Sequence, residues 1–232
     1  GALFFERTRH ALDDIAEAKE QLKDLVARPT GSIKVSVPNA FGQSHLKKPL
    51  AEFARLYPEV TLDIYFDDRI VNIAEEGFDL VIRIADLQDS SMIARRLIDA
   101  PICVCASPEY LKKYGTPKTP EDLTGHNVVA YTRNKGAHEW RYIDNKTSYE
   151  GVVTLNSTIK ADNAEMMMEA SIQGLGIVIM PVFYLTKYLD NGQLVKLMNR
   201  HETWPKRNVY AIFQPNRYLS NRLRLLIEHL DA

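Results

Sequence analysis

Cys103 and Cys105 are the residues whose type and spacing first suggest chemistry, because thiolates can bind a metal or take part in redox exchange. Alternate side chains of a strand point the same way while the backbone stays extended, so the two thiols are poorly placed to bridge each other. They also lack the second cysteine pair of a zinc site. We therefore predict a buried pair of free thiols, which suits a reducing cytoplasm.

Other catalytic patterns are missing from the sequence. No two of the six histidines lie four residues apart. Gly174 and Gly176 follow a predicted helix and lack the third glycine of a dinucleotide-binding loop. The chain contains neither a Gly-x-Ser-x-Gly elbow nor a Walker loop. We predict no enzyme, no metal and no cofactor, and an enzyme built from residues distant in sequence stays the alternative.

The composition indicates a globular protein that does not bind nucleic acid by itself. The 232 residues carry a formal net charge of -1, whereas nucleic-acid-binding proteins usually have a basic excess. No segment approaches the ~18 consecutive apolar residues of a membrane span. We predict one large unit or two small lobes in the cytoplasm, with no membrane partner. Because the chain begins at Gly1 without a signal peptide or an initiating Met, we expect that something preceded it.

Residues 1–29 are predicted to form a long helix ahead of the globular part. Apolar residues recur there at heptad-like spacing, opposite a polar surface. The residues of this apolar stripe are Phe5, Leu12, Ile15, Leu22 and Val26. The break at residues 28–31, which include Pro29, separates the helix from the rest of the chain. We interpret residues 1–29 as a linker helix that pairs between subunits, and packing on its own domain is the alternative.

After residue 31, strands and helices alternate in a pattern that predicts an α/β fold. Strands near 32–37, 60–65 and 78–83 are separated by a helix that carries Leu46 to Leu56 and by a short helix near 69–75. Residues 38–42 are expected to form a loop. Strand-helix-strand order at this spacing predicts a parallel sheet with helices on both faces.

The second half of the chain is predicted to contain shorter elements. Residues 92–106 are expected to be extended and interrupted by Pro101. The further predicted elements are helices at 108–114, 162–173, 182–189 and 220–230, a capped turn at 119–123, and strands at 128–131, 139–143, 152–155, 177–180 and 208–213. Since no low-complexity linker separates two lobes, we predict crossings near 98–104 and 205–210. Lobe I then comprises residues 31–100 and 208–232, and lobe II residues 101–207.

Several short stretches, in this order and spacing, resemble one family. They are GSIKV at 31–35, FARLYPEV at 53–60, GFDLVIR at 77–83, ARRL at 94–97, ASPEYL at 106–111, GLGI at 174–177 and Met180-Pro181. Over its whole length the chain resembles the LysR-type transcriptional regulators. The resemblance implies a linker and dimerisation helix followed by two Rossmann-like lobes of the periplasmic-binding-protein type II kind.

The resemblance also implies a function and partners. The full-length regulator would bind promoter DNA through an N-terminal domain that this chain lacks, and it would assemble as a homo-dimer or tetramer. A small-molecule effector, a carboxylate or aromatic acid, would bind between the lobes and alter that assembly. The alternatives are a solute-binding protein that serves a transporter and a regulator that needs no effector.

In this family's fold the effector lies where helix N-termini of both lobes meet, which favours an anion. The predicted ligand-binding residues are Asn39, Ala40, Phe41, Arg83, Pro101, Ile102, Thr132, Asp162, Asn163, Met180, Pro181 and Phe183. The planar fork of Arg83 could hold a carboxylate in two bonds, or form a salt bridge instead. Helix capping is the alternative role of Asn39 and Asn163. Thr132 could instead face solvent, and the apolar members could simply pack in the core.

Overall fold

A computed structural model describes residues 28–85, 92–133, 136, 138–215 and 219–231. The predicted first helix and its residues Phe5, Leu12, Ile15, Leu22 and Val26 therefore lie outside the described residues, and their role in assembly stays a prediction. Within the described residues the chain is α/β, as predicted, and its strands form three sheets.

The helices and strands alternate along the chain. The strands are β1 (Gly31–Val37), β2 (Val60–Phe66), β3 (Leu80–Ala85), β4 (Ile93–Asp99), β5 (Ile102–Ala106), β6 (Val128–Tyr131), β7 (Glu139–Asp144), β8 (Glu150–Thr154), β9 (Lys160–Ala161), β10 (Ile177–Pro181), β11 (Val195–Leu197), β12 (His201–Thr203) and β13 (Asn208–Phe213). The helices are α1 (Asn39–Phe41), α2 (Lys47–Leu56), α3 (Ile73–Glu76), α4 (Pro108–Tyr114), α5 (Ala164–Ile172), α6 (Val182–Asp190) and α7 (Asn221–Leu230), with a π turn at Gly42–Leu46 and a 3-10 turn at Pro120–Gly125.

The first sheet has the strand order β2-β1-β3-β13-β4. As predicted, β1 is parallel to β2 and β3, with Val35 opposite both Ile64 and Leu80. The late strand β13 is antiparallel to both β3 and β4 and lies between them. The hydrophobic core against the first sheet contains β1 residues such as Val35 together with Phe53 of α2 and Leu226 of α7.

The second sheet has the order β11-β5-β10-β6-β9, and a third sheet has the order β12-β7-β8. Successive residues of β5 pack on opposite faces of the second sheet: Val104 lies in a cluster with Leu123 and Trp140, whereas Cys105 lies in one with Met167. Buried side chains on both faces are typical of a sheet covered on both sides. The short strands β9, β11 and β12 were not predicted, because two or three residues are too few to show an alternating pattern.

The predicted loop at 38–42 is wrong, because helix α1 begins at Asn39 directly after Pro38. Gly42 serves close packing here and makes no turn: a Cβ on it would lie 2.7 Å from both Phe66 and Val37. The π turn then leads into α2, where the N–H of Lys47 donates to the carbonyl of Gly42. Because Pro49 cannot donate a helical hydrogen bond, a change of pitch just before it lets the helix continue.

The helix predicted near 69–75 is shorter in the structure and spans Ile73–Glu76. The carboxylate of Asp67 accepts a hydrogen bond from the N–H of Arg69 at 2.8 Å, a local turn that competes with helix formation. Asn72 caps the helix by accepting from the N–H of Glu75. Gly77, at a φ of 66°, ends it as predicted. The third strand begins two residues later than predicted, at Leu80.

The chain leaves the first sheet after β4 and returns to it at β13. The two crossings, at residues 100–101 and 204–207, lie side by side, since the N–H of Ala100 donates to the carbonyl of Arg207 at 3.0 Å. Residues between the crossings form the second and third sheets. The adjacent strands β4 and β13 of the first sheet are thus the two connections to residues 101–207.

Gly176 should be required for the packing of β10 against β6. A Cβ at this position would lie 2.8 Å from the backbone carbonyl oxygen of Asn127, which cannot move without disturbing β6. We expect Gly176→Ala to lower the free energy of unfolding by about 1–3 kcal/mol in chemical denaturation. Gly125→Ala is the matched control, because its Cβ would meet no atom within 4 Å. Equal effects of the two substitutions would show that the close approach is not a constraint.

Candidate functional site

A cavity of about 1260 Å³ lies between the first and second sheets. On the first-sheet side its wall includes Ala40, which follows β1, Asp68, which follows β2, and Arg83 of β3. Parallel strands end at the same edge of a sheet, so segments that are distant in sequence meet here. Ligands bind at this edge in many α/β proteins.

The opposite wall is formed by the second sheet and by residues of the third sheet such as Trp140. It includes Ile102 at the start of β5, Tyr131 at the end of β6 and Pro181 at the end of β10. These positions meet because β10 is parallel to β6 and antiparallel to β5, with Pro181 opposite Ile102. Tyr184 joins this wall from the first turn of α6.

The charged side chains around the cavity are mostly cationic. They comprise Arg83, Arg133, Arg141 and Arg207 against Asp68 and Glu139. One of the arginines, Arg133, pairs with Asp162 at 2.7 Å. Arg141 lies 4.0 Å from Glu139. Arg83 forms no ion pair with a carboxylate among the described residues, so its charge can attract an anionic ligand.

Arg83 is held in place by neutral acceptors. Its Nη1 donates to the carbonyls of Ile82 at 2.7 Å and Ser36 at 3.4 Å. Its Nη2 donates to the hydroxyl of Ser36 at 2.8 Å and the carbonyl of Arg69 at 3.0 Å. Burial lowers the pKa of Arg83, and the nearby charges of Asp67 and Asp68 oppose that shift. The four terminal N–H bonds are therefore engaged, so a carboxylate cannot take the bidentate fork unless these contacts rearrange.

Two tyrosines on the second wall stand opposite this arginine. Burial raises the pKa of Tyr131 to about 12, and the negative charge of Asp68 adds to the shift. Burial also raises the pKa of Tyr184, again with a contribution from Asp68. Both hydroxyls are therefore protonated at neutral pH and can donate hydrogen bonds to a ligand.

An aromatic cluster beside the cavity joins the first sheet and its helices to the second sheet and its helices, which we call the two sheet units. The ring of Phe41, which follows β1, stacks on His45 at 4.9 Å between centroids and lies 5.1 Å from the ring of Phe183 in α6. His45 and Phe183 are 5.2 Å apart, and Phe183 packs edge-on against Tyr184 at 4.7 Å. Phe183 and Tyr184 also pack against the core of the first sheet.

Comparison with known proteins identifies this arrangement. A family profile described as the LysR substrate binding domain matches residues 27–232. A transcriptional regulator of Escherichia coli K12, YcaN, is 30% identical, and the match covers 100% of this chain and 76% of that protein. The regulator CrgA of Neisseria meningitidis serogroup B is 28% identical over 99% of this chain and 76% of its own length. The solved structure of a CrgA regulatory domain from Neisseria meningitidis superimposes with a TM-score of 0.74 at 26% identity, covering 88% of this chain and 98% of that one.

The chain belongs to the LysR substrate-binding domain family. Its relatives are transcriptional regulators, so it is the effector-binding domain of a LysR-type regulator, as the sequence resemblance implied. The periplasmic-binding-protein type II architecture predicted for it is likewise confirmed. LysR-type regulators bind small-molecule effectors and oligomerise.

Part of the predicted effector site lines the cavity of this LysR substrate-binding domain. The residues concerned are Ala40, Arg83, Ile102, Met180 and Pro181. Ala40 and Met180 are buried, at 9% and 4% exposure, and so combine a cavity position with core packing. The ligand-binding roles of all five stay predictions.

The remaining predicted residues are not among those that line the cavity. Asn163 caps α5 by accepting from the N–H of Met166 at 2.9 Å, whereas Asn39 is the first residue of α1 and caps nothing. Phe41 and Phe183 belong to the aromatic cluster. The others are exposed: Thr132 in a turn, Pro101 at the crossing, where its carbonyl accepts from Val182, and Asp162 in its ion pair with Arg133.

The sequence reasoning missed Asp68, Tyr131 and Tyr184. The rule that selected Asn39 after β1 applies equally to Asp68 after β2, since both follow parallel strands of one sheet. Tyr131 and Tyr184 are each one residue from a predicted one, Thr132 and Phe183. Choosing between neighbours needs the direction of each side chain, which sequence spacing alone does not give.

Two other predictions concern the chemistry of the chain. Cys103 and Cys105 are buried free thiols, as predicted, and their sulfur atoms are 3.4 Å apart. They lie in the core of the second sheet and not in the cavity lining. None of the helices that the structure describes is both long and apolar enough to cross a membrane.

The contact between Phe41 and Phe183 should be measurable as a coupling between the two units. We expect Phe41→Leu and Phe183→Leu, made singly and together, to give a coupling free energy of about 0.5–1.5 kcal/mol in a double-mutant cycle of chemical denaturation. Phe41→Leu combined with Tyr114→Leu is the control pair, because Tyr114 packs on Tyr110 in a different part of the fold. Additive effects of Phe41 and Phe183 would contradict a stabilising ring contact.

Proposed function

We propose that this domain senses a small anionic effector, a carboxylate or aromatic acid, in the cavity between its two sheets. The observation that carries the proposal is Arg83, a partly buried guanidinium on the cavity wall that forms no ion pair with a carboxylate among the described residues. The ligand would contact Ala40, Arg83, Ile102, Met180 and Pro181, with Asn39, Phe41, Pro101, Thr132, Asp162, Asn163 and Phe183 around them. Tyr131 and Tyr184 would donate hydrogen bonds to its oxygens.

The proposed mechanism is a change in the relation between two lobes. Lobe I would comprise residues 31–100 and 208–232, lobe II residues 101–207, and residues 1–29 the linker helix. A ligand that contacts both walls favours the arrangement it binds more tightly, and only that difference in affinity can shift the equilibrium. The shift would alter subunit contacts, and hence DNA binding by the N-terminal domain of the full-length regulator.

The protein would act in the cytoplasm, where promoter DNA is, without catalysis and without a membrane. Its relatives are regulators, and the described residues contain no group of three or more His, Cys, Asp and Glu side chains arranged for a metal. A transporter's solute-binding protein and an effector-independent regulator are the competing functions. A protein that both binds a ligand and oligomerises would be the effector-sensing regulator proposed here, and would fit neither of these alternatives.

Ligand binding should raise the melting temperature of the domain. At a concentration about 100 times Kd, a ligand specific for the native state adds about 2.7 kcal/mol, which shifts Tm by about 5–10 °C for a chain of this size. The measurement is a thermal-shift screen of carboxylates, aromatic acids and neutral analogues, followed by calorimetry of each compound that binds. Arg83→Gln should weaken the binding of an acid about tenfold or more, because it removes the positive charge of Arg83 from the first wall.

Arg96→Gln is the matched control, because Arg96 is exposed, pairs with Asp99 and does not line the cavity. Each variant is compared with its own ligand-free Tm, so that a loss of stability is not mistaken for a loss of binding. Acids that bind Arg83→Gln as tightly as the natural protein would contradict an anion site there. If no compound binds, the effector-independent regulator becomes the better explanation.

Assembly should depend on the apolar stripe of residues 1–29. We expect Leu12→Lys with Leu22→Lys to convert a dimer or tetramer into a monomer in sedimentation analysis, because charges then replace two contacts between helices. Asp13→Lys with Asp24→Lys introduces the same number of lysines on the opposite, polar surface and should leave assembly intact. A monomeric starting protein would favour the solute-binding alternative.

A further inference from the structure

Asp68 places a carboxylate on the same cavity wall as Arg83. It follows β2, is half-buried, and accepts a hydrogen bond at Oδ1 from the N–H of Asn39 at 3.1 Å. In the part of the chain that the structure describes, Oδ2 has no hydrogen-bond partner, and no basic side chain forms an ion pair with Asp68. Burial raises the pKa of this carboxyl, while the fields of Arg83 and Arg133 oppose the shift.

Arg83 on the same wall is a cation without a carboxylate partner. Its terminal N–H bonds go to carbonyls and to the hydroxyl of Ser36, and no ion pair joins Arg83 to Asp68 among the described residues. The wall therefore carries one positive and one negative group that do not neutralise each other by direct contact. A half-buried charge gains most from a partner that arrives with a ligand, because solvent compensates it poorly.

A simple acid suits only one of these two groups. Its carboxylate is attracted by the arginines but repelled by Asp68, and it brings no donor for Oδ2. A ligand that also carries an ammonium group can donate to Asp68 while its carboxylate faces Arg83. Tyr131 and Tyr184 line the same cavity as Asp68, whose negative charge contributes to the raised pKa of both hydroxyls.

We propose that Asp68 makes the cavity selective for a zwitterion, a small molecule that carries a protonated amine as well as a carboxylate, as an amino acid does. The inference rests on the proposed effector site and names the chemical class of its ligand. The ammonium group binds Asp68, and the carboxylate lies toward Arg83 and the hydroxyls of Tyr131 and Tyr184. Asp68 is then the residue that distinguishes an amino acid from the acid that lacks its amine.

The experiment uses pairs of probes that differ only in the amine. The standard L-amino acids are compared with their deaminated partners, such as phenylalanine with hydrocinnamate, leucine with isocaproate and glutamate with glutarate. Binding of each probe to the natural chain is measured by thermal shift and titration calorimetry. We expect at least one amino acid to bind about tenfold to a hundredfold more tightly than its deaminated partner, as for a hydrogen bond to a charged group.

Asp68→Asn then tests whether that selectivity comes from Asp68. Asparagine keeps an oxygen for the N–H of Asn39 but loses the charge, so the advantage of the amino acid should fall about tenfold or more while the deaminated acid binds equally or better. Asp67→Asn is the matched control, because Asp67 is bound to Arg69 and does not line the cavity. If Asp68→Asn does not fold, Asp68→Ser serves the same purpose.

The outcomes separate the inference from the proposed function. If the acids bind as tightly as their amino acids, the cavity is an anion site and the zwitterion proposal is wrong. An amino-acid preference that Asp68→Asn and Asp68→Ser both leave unchanged also overturns it, because the amine is then recognised elsewhere. If neither set of probes binds, the effector site itself fails. A preference that is lost in Asp68→Asn and kept in Asp67→Asn supports the proposal.

Discussion

The insertion of β13 between β3 and β4 joins the beginning and the end of the described chain in one sheet. Two neighbouring strands, β4 and β13, therefore lead out to and back from everything between residues 101 and 207, and the bond from Ala100 to Arg207 holds the two crossings together. Both connections leave the first sheet at the same end of its strands. The second sheet therefore lies against the strand ends of the first. The cavity is a consequence of this connectivity, since strand ends of both sheets face the same space.

The two sides of the cavity are fixed in different ways. On the first side, Arg83 is bonded to Ser36 and to the carbonyl of Arg69, so its position depends on its own sheet unit alone. On the second side, Tyr184 lies one residue from Phe183, whose ring contacts Phe41 across the boundary. The first wall is thus preorganised within one unit, whereas the position of Tyr184 depends on how the two units contact each other.

The main features of the fold could be predicted from periodicity, and the failures have identifiable causes. Alternating apolar residues predicted β1, and the parallel order of the early strands followed from the helices between them. Residues 38–42 were assigned to a loop because Pro38 and Gly42 are typical of turns. In the structure Pro38 precedes the helix, and Gly42 is needed where the helix approaches Phe66.

The candidate site could be predicted only in outline. The strand-end rule located both walls, but it could not choose between neighbours such as Thr132 and Tyr131, of which Tyr131 lines the cavity and Thr132 does not. The same rule covers Asp68, which follows β2, but it gives no order of preference among the residues after a strand. The position of Arg83 relative to its acceptors depends on the packing of β3 against Ser36 and the loop after β2, which no local pattern encodes.

The aromatic cluster bears on how a ligand could change this molecule. Phe41 and Phe183 already hold the two units together without a ligand, so a ligand does not need to create the contact between them. It needs only to favour one relative position over another, and contacts made to both walls at once are the ones that differ between positions. A ligand that contacts Arg83 alone touches only the first unit, so this contact is the same in every relative position of the units. It adds affinity without shifting the equilibrium between those positions. Hydroxyl groups on the far wall, at Tyr131 and Tyr184, are therefore the contacts through which binding energy can act on the arrangement of the two units.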